Sequence, residues 1–178
     1  MFKEERNYNK FTWRDLGDIE RGRPNLGLTV PVLAYRLLQY TLRDVLITES
    51  GVDKANDIFI KAGRLAGVQF CENLLNRELG FNEFIAQLQQ VLKEQVIGIL
   101  RIEKADMENM RFTLVVAEDL DCSGLPFTDE VVCQYDEGFI AGIFEAYTGK
   151  PFSVREIDCW ASGERVCRFV AREVKVDK

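Results

Sequence analysis

The chain has 178 residues, 47% hydrophobic and 29% charged, and its 23 lysines and arginines against 29 acidic residues leave a net charge of −6. That length suits one domain with a substantial core, and an acidic balance with no basic block excludes a phosphate-backbone partner, so no nucleic acid is expected. Histidine is absent altogether, which removes Ser-His and Cys-His nucleophile activation and histidine-ligated haem.

No apolar run approaches the roughly 20 residues needed to cross a bilayer, and the N-terminus MFKEERNYNKFTW lacks the apolar segment of a signal peptide. The expectation is a cytoplasmic protein with no membrane span. Five cysteines, an odd number and scattered, do not make a disulfide framework in a reducing compartment. They are free, metal-bound or catalytic.

Residues 1–28, with GDIERGRPNLG, read as an irregular N-terminal arm, and residues 29–178 as a single domain. From Pro31, Val32, Leu33, Leu37, Leu38, Leu42, Val45 and Leu46 recur at helical spacing, and Pro31 suits a first helical turn. A second helix runs from about Asp53 to Asn76, and Asn82 can cap a third that carries Phe84, Leu88, Val91 and Leu92. The β-branched stretches VIGILRIEK and RFTLVVAED, joined by ADMENM, predict an antiparallel hairpin. A fourth helix is predicted from about Asp129 to Tyr147, with Cys133 in its first turn, and Gly149-Lys150-Pro151 stops it. PFSVREIDCW and RVCRFVAREV then flank a turn at Gly163. The order ααα-ββ-α-ββ defines an α+β domain in which a helical layer packs on a four-stranded antiparallel sheet.

The chemistry concentrates in EIDCWASGERVC. Cys159 and Cys167 are equidistant from Gly163, so in a hairpin their Cβ atoms would lie about 4.5 to 5.5 Å apart. Glu156, three residues before Cys159, would point to the opposite face of a flat strand roughly 10 Å away, so a bulge or bend between them is required. Cys133, near unpaired helix amides, adds a possible fourth ligand. Three thiolates and a carboxylate suit a tetrahedral zinc shell. The alternative is that these cysteines are small apolar core residues.

The run E-x-x-C-x7-C, the helix-leading Cys133, the arm RGRPNLG with VPVLAYRLL, and the glycine-bearing IFIKAGRLAGVQF together resemble the 4-vinyl reductase domain family over about residues 12–172. The resemblance implies a fold shared with vesicle-tethering TRAPP subunits, used as a small-molecule-binding module. It also implies zinc, because in phenol-sensing members three cysteines and a glutamate bind it at the positions of Cys133, Glu156, Cys159 and Cys167. Those members hold the phenolic hydroxyl with a histidine and a tryptophan, and a histidine is not available here.

Gly63 and Gly67 permit a close approach on the second helix, by a packed helix or a ligand. Phe84, Phe112 and Trp160 are the expected lining of an apolar or aromatic ligand pocket between the second and third helices and the sheet. Cys71 reads as helix packing, Cys122 as a loop thiol, and Glu118, Asp119 and Asp121 as a solvated strand end. The arm, with Trp13, Leu16, Ile19 and Leu26 to bury, predicts a homodimer. The function expected is a zinc-containing binding or sensing module that acts in trans or as a carrier. The alternative is a reductase acting on a vinyl or tetrapyrrole-like substrate, although no dinucleotide fingerprint accompanies it.

Overall fold

A computed structural model describes residues 4–175. The arm contains a 3-10 turn at Trp13–Leu16 and one helical turn, α1 (Ile19–Gly22), and is otherwise irregular. Its Trp13 amide donates to the Gln69 side chain, which ties the arm to the body. Then follow α2 (Val32–Ser50), α3 (Val52–Leu74), α4 (Phe81–Glu94), the hairpin β1 (Ile99–Asp106) and β2 (Arg111–Ala117), α5 (Gln134–Thr148), and β3 (Phe152–Asp158) and β4 (Cys167–Glu173). The four strands form one antiparallel sheet in the order β1-β2-β4-β3, so the expected α+β architecture is present.

Gly63 and Gly67 do mark a close approach, and what approaches is a helix. A Cβ at Gly63 would run into Tyr135 O and lie 2.9 Å from Phe139 N, and Gly138 and Gly142 of α5 meet the backbone of Ile60 and Arg64 in the same way. The two helices therefore touch backbone to backbone, which only glycine allows. α5 is in turn buried continuously from Glu137 to Phe144, between α3 and a sheet face lined by Phe112, Leu114, Phe152, Phe169 and Ala171. α4 closes the layer with Phe84, Ile85, Leu88 and Leu92.

α2 departs from the usual pattern. Its apolar stripe faces outward: Leu33 is 72% exposed and Leu38 69%, with Leu37, Leu42 and Val45 also exposed, and Gln39 is its one buried residue. The inward face is polar and grips the loop after β2. Tyr35 Oη donates to Asp121 Oδ1 (2.7 Å), Gln39 Nε2 to Asp121 Oδ2 (2.6 Å), and Tyr40 Oη to Asp121 O (2.9 Å). Arg36 donates to the carbonyls of Leu120 and Ser123. The reading of Asp119 and Asp121 as a solvated strand end is thereby corrected: both are buried, because α2 covers them.

Two boundaries also move. α4 begins at Phe81 with Gly80 as its cap, ahead of Asn82. α5 begins at Gln134, since Asp129 has a positive φ of 60° and the chain stays irregular to Cys133, which becomes the N-cap.

Candidate metal centre and adjoining cavity

β3 is not flat. Its register against β4 shifts between Glu156, which opposes Phe169, and Asp158, which opposes Arg168, leaving Ile157 as an extra residue. This is the bulge that the E-x-x-C spacing requires, and both Glu156 and Cys159 are buried. Beyond Asp158 the chain makes a 3-10 turn at Trp160–Ser162 and passes Gly163 at φ 101° before β4. Ser162 Oγ accepts from the Cys159 amide and donates to its carbonyl, holding the turn. Cys159 and Cys167 thus sit just past and at the end of the ladder, not across from each other within it.

Cys133, Cys159 and Cys167 come together, and Cys122 joins them. The four sulfurs all lie within 4.8 Å of one another, and all are buried. Cys133 Sγ is 3.8 Å from both Cys159 Sγ and Cys167 Sγ, and Cys122 Sγ is 2.9 Å from Cys167 Sγ. All five cysteines are free thiols, and Cys71 packs in the core as expected.

Cys122 therefore is no isolated loop thiol. Its loop is shaped locally by Asp119, whose Oδ1 accepts from the amides of Asp121 (2.8 Å) and Cys122 (3.1 Å). The one sequence signal available was this D-x-D-C turn, in which an Asp side chain caps the amides following it.

Glu156 stands beside the four sulfurs. Its Oε2 accepts from the Cys133 amide at 3.1 Å, its Oε1 is buried without a partner, and its own amide donates to Glu137 Oε1 at 2.8 Å. Burial first, then the charge of Cys159, pushes the Glu156 carboxyl up to about 8. Among the thiols, hydrogen bonds from Cys122, Cys133 and Cys167 draw Cys159 far down, while the bond to Cys122 leads the causes that push Cys133 and Cys167 far up. One thiolate held by its neighbours' protons is what a cluster of sulfurs without a cation produces. A divalent ion would replace those protons.

The donor set fits zinc. Sulfurs about 2.3 Å from a tetrahedral ion stand about 3.8 Å apart, the separation of two of the pairs here, and a closed four-thiolate shell is a structural zinc type.

Next to the sulfurs lies an apolar cavity of about 30 Å³ between α4, the sheet and α5, walled by residues such as Leu88, Leu100, Leu114, Ile140 and Ile143. Asp119 and Asp136 stand at its edge, and one oxygen of each lies within 4.8 Å of the other and of Cys133 Sγ. Burial, and after it the nearby Asp121, pushes Asp119 up to about 7 and Asp136 well above the usual carboxylate range. Phe84, Phe112 and Trp160 are not among the lining residues. Phe84 stacks on Tyr147 at 3.8 Å, and Phe112 stacks between Phe81 (5.0 Å) and Phe144 (4.9 Å). Trp160 is in the 3-10 turn, its indole donating to Leu125 O at 3.1 Å.

A helical layer on an antiparallel sheet, with cysteines gathered where the last hairpin meets a helix N-terminus, defines a small-molecule-sensing type of fold. The family model of the vinyl-4-reductase domain matches residues 112–173, from β2 to the end of β4, so the resemblance to the 4-vinyl reductase family holds over the part of the chain that carries all four clustered cysteines. An uncharacterized protein of Methanocaldococcus jannaschii is 31% identical over 56% of this chain and 59% of its own length, so the match spans less than two thirds of that relative. A second from the same organism is 22% identical over 89% of this chain and 87% of its own.

Among solved structures, the phenol-responsive sensory domain of the transcription activator PoxR, with phenol, superposes with a TM-score of 0.64 at 16% identity. It covers 83% of this chain and 76% of that one. A vinyl-4-reductase family protein from M. jannaschii gives 0.61 at 17% identity, over 94% of this chain and all of the other. A trafficking protein particle complex subunit 3 from Naegleria fowleri, covalently bound to palmitic acid, gives 0.60 at 13% identity, over 82% and 98%. At these identities the likenesses speak to the fold. Among the described residues no helix is long and apolar enough to cross a membrane.

Proposed function

We propose that this chain is a zinc-containing module that binds or senses small apolar molecules, reporting in trans or acting as a carrier, and that it works as a homodimer in the cytoplasm. The observation that carries the reading is the double use of α5. Its cap residue, Cys133, belongs to the sulfur cluster, and Asp136, Phe139, Ile140, Ile143 and Phe144, one to three turns further on, wall the cavity. A metal there holds the end of the helix that forms the pocket wall and leaves no open position for a ligand. Cys133, Cys159 and Cys167 are the shared ligands of the reading, with Cys122 as the fourth. Glu156 supports them through the Cys133 amide. The PoxR sensory domain, solved with phenol on the same fold, supports a small-molecule ligand.

The dimer is supported by the outward leucines of α2, since a contiguous exposed apolar stripe marks an interaction surface. Residues 1–28, with exposed Leu16, Ile19 and Leu26, act in this reading as an arm that completes the partner contact of the domain at 29–178.

Native mass spectrometry with elemental analysis tests these points together. One zinc per chain is expected, lost in Cys122→Ser and kept in Glu156→Gln. A chain that holds no stoichiometric metal when purified without chelator sinks the zinc reading. Loss of metal in Glu156→Gln and retention in Cys122→Ser would restore the glutamate as ligand.

A further inference from the structure

The apolar cavity has a polar neck. A second hollow, of about 160 Å³ and lined by Tyr35, Leu120, Asp121 and Tyr135, shares Ile97, Asp136 and Phe139 with it. Asp136 thus stands where the outer hollow passes into the inner one. Its carboxyl group is fully buried, and Oδ2 has no hydrogen-bond partner, a costly condition for a polar atom unless something else fills it.

The surroundings define that partner. Asp119, Asp121, Asp136 and Glu156 bring four carboxyl groups to this end of the core, and a zinc ion with four thiolates adds further negative charge. The two nearby guanidinium groups are used elsewhere. Arg36 donates to the carbonyls of Asp119, Leu120 and Ser123. Arg43 donates to Asn56 Oδ1, Val132 O and Gln134 Oε1, and lies over the Phe59 ring. The missing group is therefore a hydrogen-bond donor, and a positively charged one is favoured over a neutral one.

We propose that this neck receives the ammonium group of a small apolar amine, held between the carboxylates of Asp119 and Asp136. The proposal rests on reading the cavity as the ligand pocket and adds the chemical class of its occupant. The geometry suits an ammonium. Tetrahedral N–H bonds reaching oxygens about 2.9 Å away place two acceptors about 4.7 Å apart, and the two carboxylates lie within 4.8 Å. The rings of Tyr35, Tyr135 and Phe139 along the outer hollow offer aromatic surface both to a cation and to the ligand's apolar body.

The experiment uses the zinc-loaded full chain and two near-isosteric probes, 2-phenylethylamine and 2-phenylethanol, titrated by calorimetry. The amine should bind at least tenfold more tightly than the alcohol. Asp136→Asn, which breaks no hydrogen bond to Oδ2, should bring the amine down to the alcohol's affinity and leave the alcohol unchanged. If both probes bind equally and Asp136→Asn changes neither, the amine proposal is overturned while the small-molecule reading stands. If neither probe binds to folded, zinc-loaded protein, both fall. A second equivalent of metal that is retained by the chain and lost in Asp136→Asn would assign the acid pair to a metal ion and overturn the proposal as well.

Discussion

α2 and α5 are both helices with apolar residues at helical spacing, and they are held in opposite ways. α5 is clamped by shape: glycines interlock it with α3, its residues 137–144 are buried, and its cap enters the sulfur cluster. α2 is clamped by polarity: Tyr35, Arg36, Gln39 and Tyr40 seize the loop at 119–123 while its leucines face away from the core. A hydrophobic stripe normally decides which way a helix faces. On α2 a set of hydrogen bonds decides it instead, and the stripe is left for a second surface.

The inner clamp should be the more expensive to break. Loss of a structural metal is among the few changes that cost more than about 4 kcal/mol, so Cys159→Ser should shed zinc and sharply lower the denaturation midpoint, and a strong chelator should do the same to the unaltered chain. An unchanged midpoint would return the cysteines to plain packing. Gly67→Ala should cost about 3 kcal/mol by overpacking, even against the gain of about 1 kcal/mol in helix propensity. Gly22→Ala, where a Cβ meets nothing within 4 Å, is the control that should be neutral in urea unfolding.

The outer clamp is weaker. Tyr35→Phe strips a donor from Asp121 and should cost about 2 kcal/mol; a cost indistinguishable from zero in the same urea measurement would mean that the polar grip is incidental. The smallest effect on folding sharpens the contrast most. Leu37→Glu and Leu38→Glu should each change the chain's own stability by no more than about 0.5 kcal/mol while light scattering moves from dimer to monomer. A large loss of stability would place these leucines in a core they do not face here.

Much of this was legible in the sequence because it depends on local spacing. The i, i+4 glycines announce a close approach, and E-x-x-C around buried positions demands an irregular strand. What escaped depends on partners far along the chain. Asp121 is buried by Tyr35 and Gln39, which are more than 80 residues away, and nothing near Asp121 encodes that. Cys122 reaches the cluster only because its loop folds back against β4 beside Cys167. The outward turn of α2 was hidden for a different reason: periodicity shows that a stripe exists but not which neighbour it meets.

The bulge in β3 gives residue count a chemical meaning. Along a regular strand, positions three apart lie on opposite sides, and Ile157 turns that odd separation into an even one. Ile157 is half exposed, so exchanging it for another side chain should leave the centre intact. Deleting it would return the strand to register and swing Cys159 to the outer face, with every cysteine and carboxylate of the centre still present in the sequence. The site is thus written partly in identity and partly in parity, and a single-residue deletion can erase it without touching any group that does the binding.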